Sequence, residues 1–216
     1  LTDDDEAFAA ILRRGLRLVV FVGLPASAGL MLIARPLATV IYQGRAFSLD
    51  DAHRVAFVVL GYASAVWAYS MIHVLTRAFY ARGDAKTPVK IAVSMVALNL
   101  ALNCTLIWTP LREAGLAWST AICATIQAIA LLMVVRRHTE NILDAEVVSS
   151  WTKSLMITAV MVVIAGIVSM GLPDALTWLG SLVKLLAVVL VGGLVVCSAA
   201  GALRMPELWW VLGRRN

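Results

Sequence analysis

The sequence predicts an all-α, polytopic membrane helix bundle with six transmembrane helices, and three observations lead there. First, six apolar windows free of Asp, Glu, Lys and Arg recur at 18–34, 55–76, 91–111, 114–135, 154–173 and 185–203, with lengths of 17, 22, 21, 22, 20 and 19 residues. A helix rising ~1.5 Å per residue needs about 20 residues to cross ~30 Å of hydrocarbon. Second, the chain is 61% hydrophobic and only 14% charged, where soluble domains carry about 25% charge. Third, the cations fall in alternate loops. The runs are continuous rather than alternating, which argues against a β-barrel, and helices satisfy their own backbone in lipid.

The charge pattern sets an orientation. With the N-terminus in the cytoplasm, Arg13, Arg14, Arg17, Arg77, Arg82, Lys86, Lys90, Arg136, Arg137, Lys153, Arg204, Arg214 and Arg215 lie inside, 13 in all. Arg35, Arg45, Arg54, Arg112 and Lys184 lie outside, five in all. Lys and Arg favour the cytoplasmic side, so both termini are expected in the cytoplasm of a bacterial inner-membrane protein. The net charge of +5 is thus a topology signal and not a nucleic-acid footprint.

The elements follow in order. Residues 1–15 read as a cytoplasmic lead-in, with helical spacing from Glu6 to Arg17. Residues 16–137 read as a four-helix part of a transporter lobe. Pro25 lies mid-span in span one, where the missing N–H kinks a helix, and is a candidate hinge. Residues 37–42 are too short to cross and read as an interfacial helix, followed by a turn at 43–48. Ser48 and the acids after it start span two, which runs to about Tyr80. A basic loop follows, and Thr87-Pro88 opens span three. A short loop at Pro110 makes spans three and four an antiparallel hairpin. Residues 138–153 read as a cytoplasmic linker. Residues 154–216 hold spans five and six, joined by a turn near Pro173, and a cytoplasmic tail. Trp178, Trp209 and Trp210 suit membrane interfaces.

Catalytic chemistry has little support. His53 and His138 fall in loops. Ser70 and His73 have dyad spacing but no third group or oxyanion donor, so His73 reads as an interhelical polar contact. Cys104, Cys123 and Cys197 lie in spans without metal-ligand spacing and read as small apolar fillers. No catalytic residue, metal site or cofactor is assigned.

In-membrane polar residues are the better clue, because they are costly there. Asn99 and Asn103 share one face of span three, and Thr120 lies on span four with Ser119, Thr125 and Gln127. Interhelical hydrogen bonding accounts for such a group, at ~0.6 kcal/mol per contact. A small cation site between the helices, with Na⁺ held by side-chain and carbonyl oxygens, is the sharper reading. In the basic loop, Arg77, Arg82, Lys86 and Lys90 would attract anionic headgroups at about 1 kcal/mol each. A positive-inside anchor is the plainer reading and a lipid pyrophosphate contact the sharper one.

Three segments carry a family resemblance: Arg77-Ala-Phe-Tyr-Ala-Arg-Gly-Asp-Ala-Lys-Thr-Pro-Val, Ala97-Leu-Asn-Leu-Ala-Leu-Asn and Ala114-Gly-Leu-Ala-Trp-Ser-Thr. Together they resemble the C-terminal half of the MurJ (MviN) lipid II flippases, in the multidrug/oligosaccharidyl-lipid/polysaccharide exporter superfamily. Gly23-Leu-Pro-Ala-Ser-Ala-Gly-Leu and Tyr42-Gln-Gly-Arg-Ala-Phe also fit, and the likeness covers roughly residues 13–137.

The resemblance implies a fourteen-helix transporter of which this chain is spans nine to fourteen. The last two spans would form a groove for the lipid tail. It implies a substrate, undecaprenyl-pyrophosphate-linked lipid II, moved by alternating access without chemical reaction. It also implies Na⁺ as coupling ion, with Asn99, Asn103, Thr120 and the Leu116 carbonyl at the matching positions. Asn103 is neutral where an acid can occur. The family's headgroup arginines lie on spans outside this chain, so none is carried over. The chain opens on Leu1 and the acidic run 3–6, and reads as a fragment whose partner is a missing N-terminal lobe. Two other readings stay open: another polysaccharide-lipid or drug exporter of the superfamily, or a non-transporting scaffold that binds cell-wall synthesis proteins.

Overall fold

The computed structural model describes residues 3–42, 49–139, 142–172 and 178–213. The expected turns at 43–48 and near Pro173, the Ser48 cap, and Arg45, Arg214 and Arg215 lie outside the described residues.

Among the described residues all the regular secondary structure is helix, with six segments long and apolar enough to cross a membrane. The helices are α1 (Asp3–Leu32), α2 (Ala34–Tyr42), α3 (Leu49–Ser64), α4 (Val66–Ala81), α5 (Lys86–Leu106), α6 (Ala114–His138), α7 (Ala145–Gly171), α8 (Trp178–Ala202) and α9 (Pro206–Val211). The lead-in is continuous with span one in α1. The linker at 138–153 is largely helix, because α7 starts at Ala145. There Asp144 caps it, accepting the Val147 amide at 2.8 Å. Part of the tail forms α9, with Pro206 in its first turn.

Helix α1 is the hub. One face packs on α4 and α3, with α6 on the far side of α4, and Leu12, Leu16, Leu75 and Leu131 belong to the main core these helices share. Its other faces reach α7 and α8, with Phe21 against Ile157 and Ala200, and Ile33 against Ala165 and Val188. Small residues permit close approach. A Cβ added at Gly61 would lie 2.7 Å from the Ala117 Cβ, and one at Gly23 would lie 3.1 Å from the Trp67 Cα.

Span two differs from its expected form as one helix. It breaks into α3 and α4 at Ala65, whose amide bonds the Tyr62 carbonyl at 3.1 Å in a tighter turn. A break in lipid must re-satisfy the freed backbone groups. The Trp67 amide donates to the Ser27 hydroxyl of α1 at 3.0 Å, and the Ser64 hydroxyl donates to the Gly61 carbonyl at 2.7 Å. Helix α1, by contrast, remains helical through Pro25.

Candidate functional site

The predicted polar residues of spans three and four meet between α5 and α6. Asn103 Nδ2 donates to Asn99 Oδ1 at 3.0 Å. Asn99 Nδ2 lies 3.4 Å from Ser119 Oγ and 3.5 Å from Thr120 Oγ1. The Ser119 hydroxyl contacts both Asn103 Oδ1 and the Leu116 carbonyl, and the Thr120 hydroxyl donates to that same carbonyl at 2.8 Å. Ser119 is fully buried and is the centre of the group, a role its spacing alone did not single out. The spacing that produces the cluster is simple: Asn99 and Asn103 are one turn apart, and Leu116, Ser119 and Thr120 share a turn on the facing helix. Five neutral oxygens converge here. That donor set suits a hard monovalent cation. Each oxygen is also engaged with a neighbour, so the group is satisfied as a hydrogen-bonded network.

The basic loop divides into two parts. Arg82 ties elements together: it donates to Asp5 at 3.1 Å and to the His138 carbonyl at 3.0 Å, and its guanidinium lies 4.4 Å over the Phe8 ring. Arg77, Lys86 and Lys90 are exposed. Gly83, at φ +74°, makes the turn. Asp84 then caps α5 by accepting the Lys86 and Thr87 amides at 3.1 and 3.0 Å. Hydrogen bonds from Thr87 and then Lys86 hold its carboxyl below the usual carboxylate range.

Other expectations are corrected. His73 is exposed and makes no hydrogen bond among the described residues, while the Ser70 hydroxyl donates to the Val66 carbonyl at 3.0 Å. No dyad or interhelical His73 contact forms, because His73 lies on the outer side of α4. Cys123 is buried and packs as a filler, whereas Cys104 on α5 and Cys197 on α8 are exposed, Cys197 at the edge of an apolar groove. The Trp178 indole N–H donates to the Val40 carbonyl of α2 at 3.0 Å, which ties α8 to α2.

An apolar groove of about 410 Å³ runs beside α1. Phe21, Pro25 and Gly29 line it from α1, Ile33 from the turn after α1, Met161 and Ala165 from α7, and Val188, Gly192 and Cys197 from α8. It is therefore a three-helix groove. Spans five and six supply two walls, and the proline-bearing face of span one supplies the third.

The sequence reading missed a buried ion cluster at the basic end. Glu207 of α9 is fully buried, and its Oε1 accepts Arg17 Nε at 2.6 Å and the Ser150 hydroxyl at 2.7 Å. Arg17 also reaches Glu146 at 2.9 Å. Arg14 and Arg17 lie 4.4 and 5.3 Å over the Trp210 ring. A lone acid after Pro206 marks a helix start, but nothing in the sequence pairs it with an arginine 190 positions away.

Six apolar crossings, an interrupted span and in-membrane polar and apolar sites define a multi-pass helical membrane protein. The sequence profile described as lipid II flippase MurJ matches residues 2–197, and the chain belongs to that family. A probable lipid II flippase MurJ of Vibrio cholerae serotype O1 is 33% identical over 119 residues, covering 55% of this chain and 22% of that protein. One of Rhizobium tropici is 29% identical over 153 residues, covering 71% of this chain and 28% of that protein. A solved structure, lipid II flippase MurJ in an inward closed conformation, superposes with a TM-score of 0.75 at 19% identity, covering 93% of this chain and 41% of the solved one. That likeness concerns the fold. The chain thus spans well under half the length of these relatives.

Proposed function

We propose that this chain is the C-terminal portion of a lipid II flippase of the bacterial inner membrane, with both termini in the cytoplasm. In this reading the whole transporter moves undecaprenyl-pyrophosphate-linked precursor from the inner to the outer leaflet by rocking two lobes about a central cavity. No bond is made or broken, so the protein is not an enzyme. The observation that carries the reading is the family match across residues 2–197, which includes the basic loop and the polar cluster.

The roles follow from position. The apolar groove would take the lipid's hydrocarbon tail. Arg77, Lys86 and Lys90 would sit at the headgroup level of the cytoplasmic leaflet, and Pro25 would let span one flex beside the groove. Asn99, Asn103, Thr120 and the Leu116 carbonyl would hold Na⁺, which would supply a positive charge to couple transport. The missing lobe would supply the headgroup-binding cations.

The test joins this chain to the first eight spans of a working MurJ and asks whether the chimera rescues a MurJ-depleted bacterium, with lipid II translocation read directly. Rescue is the expected result. A well-expressed, inserted chimera that moves no lipid II, while an equally built chimera from another family member does, counts against the assignment. In a rescuing chimera, Asn103→Ala is expected to reduce Na⁺-dependent translocation about tenfold, the effect of losing ~1.4 kcal/mol.

A further inference from the structure

The apolar groove has an end, and that end is α9. Leu208 and Val211 line the groove at the same end where Cys197 approaches from α8. From Phe21 to Ile33 the groove follows α1 and the turn after it over 13 residues, or about 18 Å at 1.5 Å per residue step. Its walls are apolar side chains, two of them the sulfur-bearing Met161 and Cys197, and Val189 of α8 lines it while remaining half exposed. A single lipid chain matches those dimensions and that chemistry.

Helix α9 cannot hold itself in place. It has six residues, far fewer than the ~12–15 at which an isolated helix is even marginal in water. Its position is set from outside. Glu207 is buried and bridges α1 through Arg17 and α7 through Ser150. The remaining oxygen, Oε2, has no hydrogen-bond partner. A carboxylate buried in this way is costly unless its partners hold it. On the neighbouring turn, Trp210 lies beneath Arg14 and Arg17. The next residue after Glu207, Leu208, packs with Phe21 and Ile157.

We infer that α9 is the floor of the groove, stopping a lipid hydrocarbon chain there, and that Glu207 is the positioning residue that fixes the floor to α1 and α7. The inference rests on the reading that the groove takes a lipid chain, and it adds where that chain ends and which residue decides it.

The experiment uses the full chain in phosphatidylglycerol nanodiscs with two probes, each carrying a terminal diazirine: undecaprenyl phosphate and a phosphatidylglycerol labelled on one acyl chain. Cross-linked residues are mapped by mass spectrometry. Labelling on the groove walls and on Leu208 and Val211 is the expected result. Labelling by the polyprenyl probe alone identifies a polyprenyl tail as the occupant, and labelling by both identifies any lipid chain; either supports the floor. Glu207→Ala is expected to reduce labelling of residues 208 and 211 at least fivefold while the walls remain labelled. Glu207→Gln, which keeps an acceptor for Ser150 and Arg17, is expected to retain at least half. Where Glu207→Ala does not insert, Glu207→Asp carries the same readout, because it keeps the charge and loses the reach. Unchanged labelling at 208 and 211 in the shortened variant overturns the role of Glu207. Wild-type labelling on the walls but not on α9 overturns the floor and leaves the groove reading intact. No groove labelling by either probe overturns both.

Discussion

Span one contains a proline and stays helical; span two contains none and breaks. Helix α1 runs from Asp3 to Leu32 through Pro25, while the second crossing divides at Ala65 into α3 and α4. The difference teaches that a helix break inside a membrane depends on what neighbours can offer the freed backbone, more than on the residue at the break. At Ala65 the offer comes from α1: Ser27, only 5% exposed, accepts the Trp67 amide. Gly23 and Gly61 let α4 approach α1 and α3 approach α6 at short range. Pro25 removes one donor from α1, and its ring faces the groove.

The comparison is broken most severely at Gly61. A Cβ there would lie 2.7 Å from the Ala117 Cβ and 3.1 Å from its carbonyl carbon, neither of which is a flexible side-chain end. Gly61→Ala is expected to separate α3 from α6 and to cost about 3 kcal/mol, the upper part of the usual range for overpacking. Equilibrium unfolding in mixed micelles measures it. A cost below about 0.5 kcal/mol would show that the two halves of span two are not fixed by this contact.

Ser27→Ala comes next. It leaves the Trp67 amide buried without its acceptor, which costs about 1–2 kcal/mol. Amide exchange at Trp67 should accelerate while exchange in the middle of α6 stays slow. If Trp67 exchanges as slowly in the variant, another group supports the break and the offered-partner explanation fails. Pro25→Ala is expected to change stability by less than about 1 kcal/mol, because the backbone there is already helical and regains a donor. In a flipping-competent chimera the same variant should slow translocation if Pro25 is a hinge. A loss of stability without a loss of rate would assign it to packing instead.

How much of this was legible follows the same division. The crossings were legible because lipid demands long uncharged runs: window 114–135 falls within α6, and window 91–111 overlaps α5, which starts and ends five residues earlier. The polar cluster was legible because Asn99 and Asn103 repeat at one helical turn, so a facing helix completes the site with no long-range information. The Ala65 break was not, since Tyr62-Ala-Ser-Ala-Val66 contains no breaker and the deciding hydroxyl lies 40 positions earlier. The Glu207 cluster was hidden for the same reason. Periodicity reports which face is apolar, but not which distant side chain will meet a given group.

The smallest expected effect sits at the N-terminal start of the broken span, where Arg54 Nε donates to Glu113 Oε1 at 2.5 Å and joins α3 to the start of α6. This hydrogen bond, the largest cause, pulls the Glu113 carboxyl from an ordinary value of 4.5 down to about 2. A depressed carboxyl stabilises the fold fully above its unfolded pKa and loses that contribution as pH falls through the folded value. The contribution should therefore be constant above about pH 5 and decline between pH 4.5 and about 2. Both side chains are well exposed, at 56% and 41%, so solvent screening keeps the effect small. The check is the difference in Tm between the wild-type chain and Glu113→Gln across that range. The two should differ by a degree or so at neutral pH and converge in acid. A difference that persists at pH 2 would mean that Glu113 holds α3, the first half of span two, by packing rather than by charge.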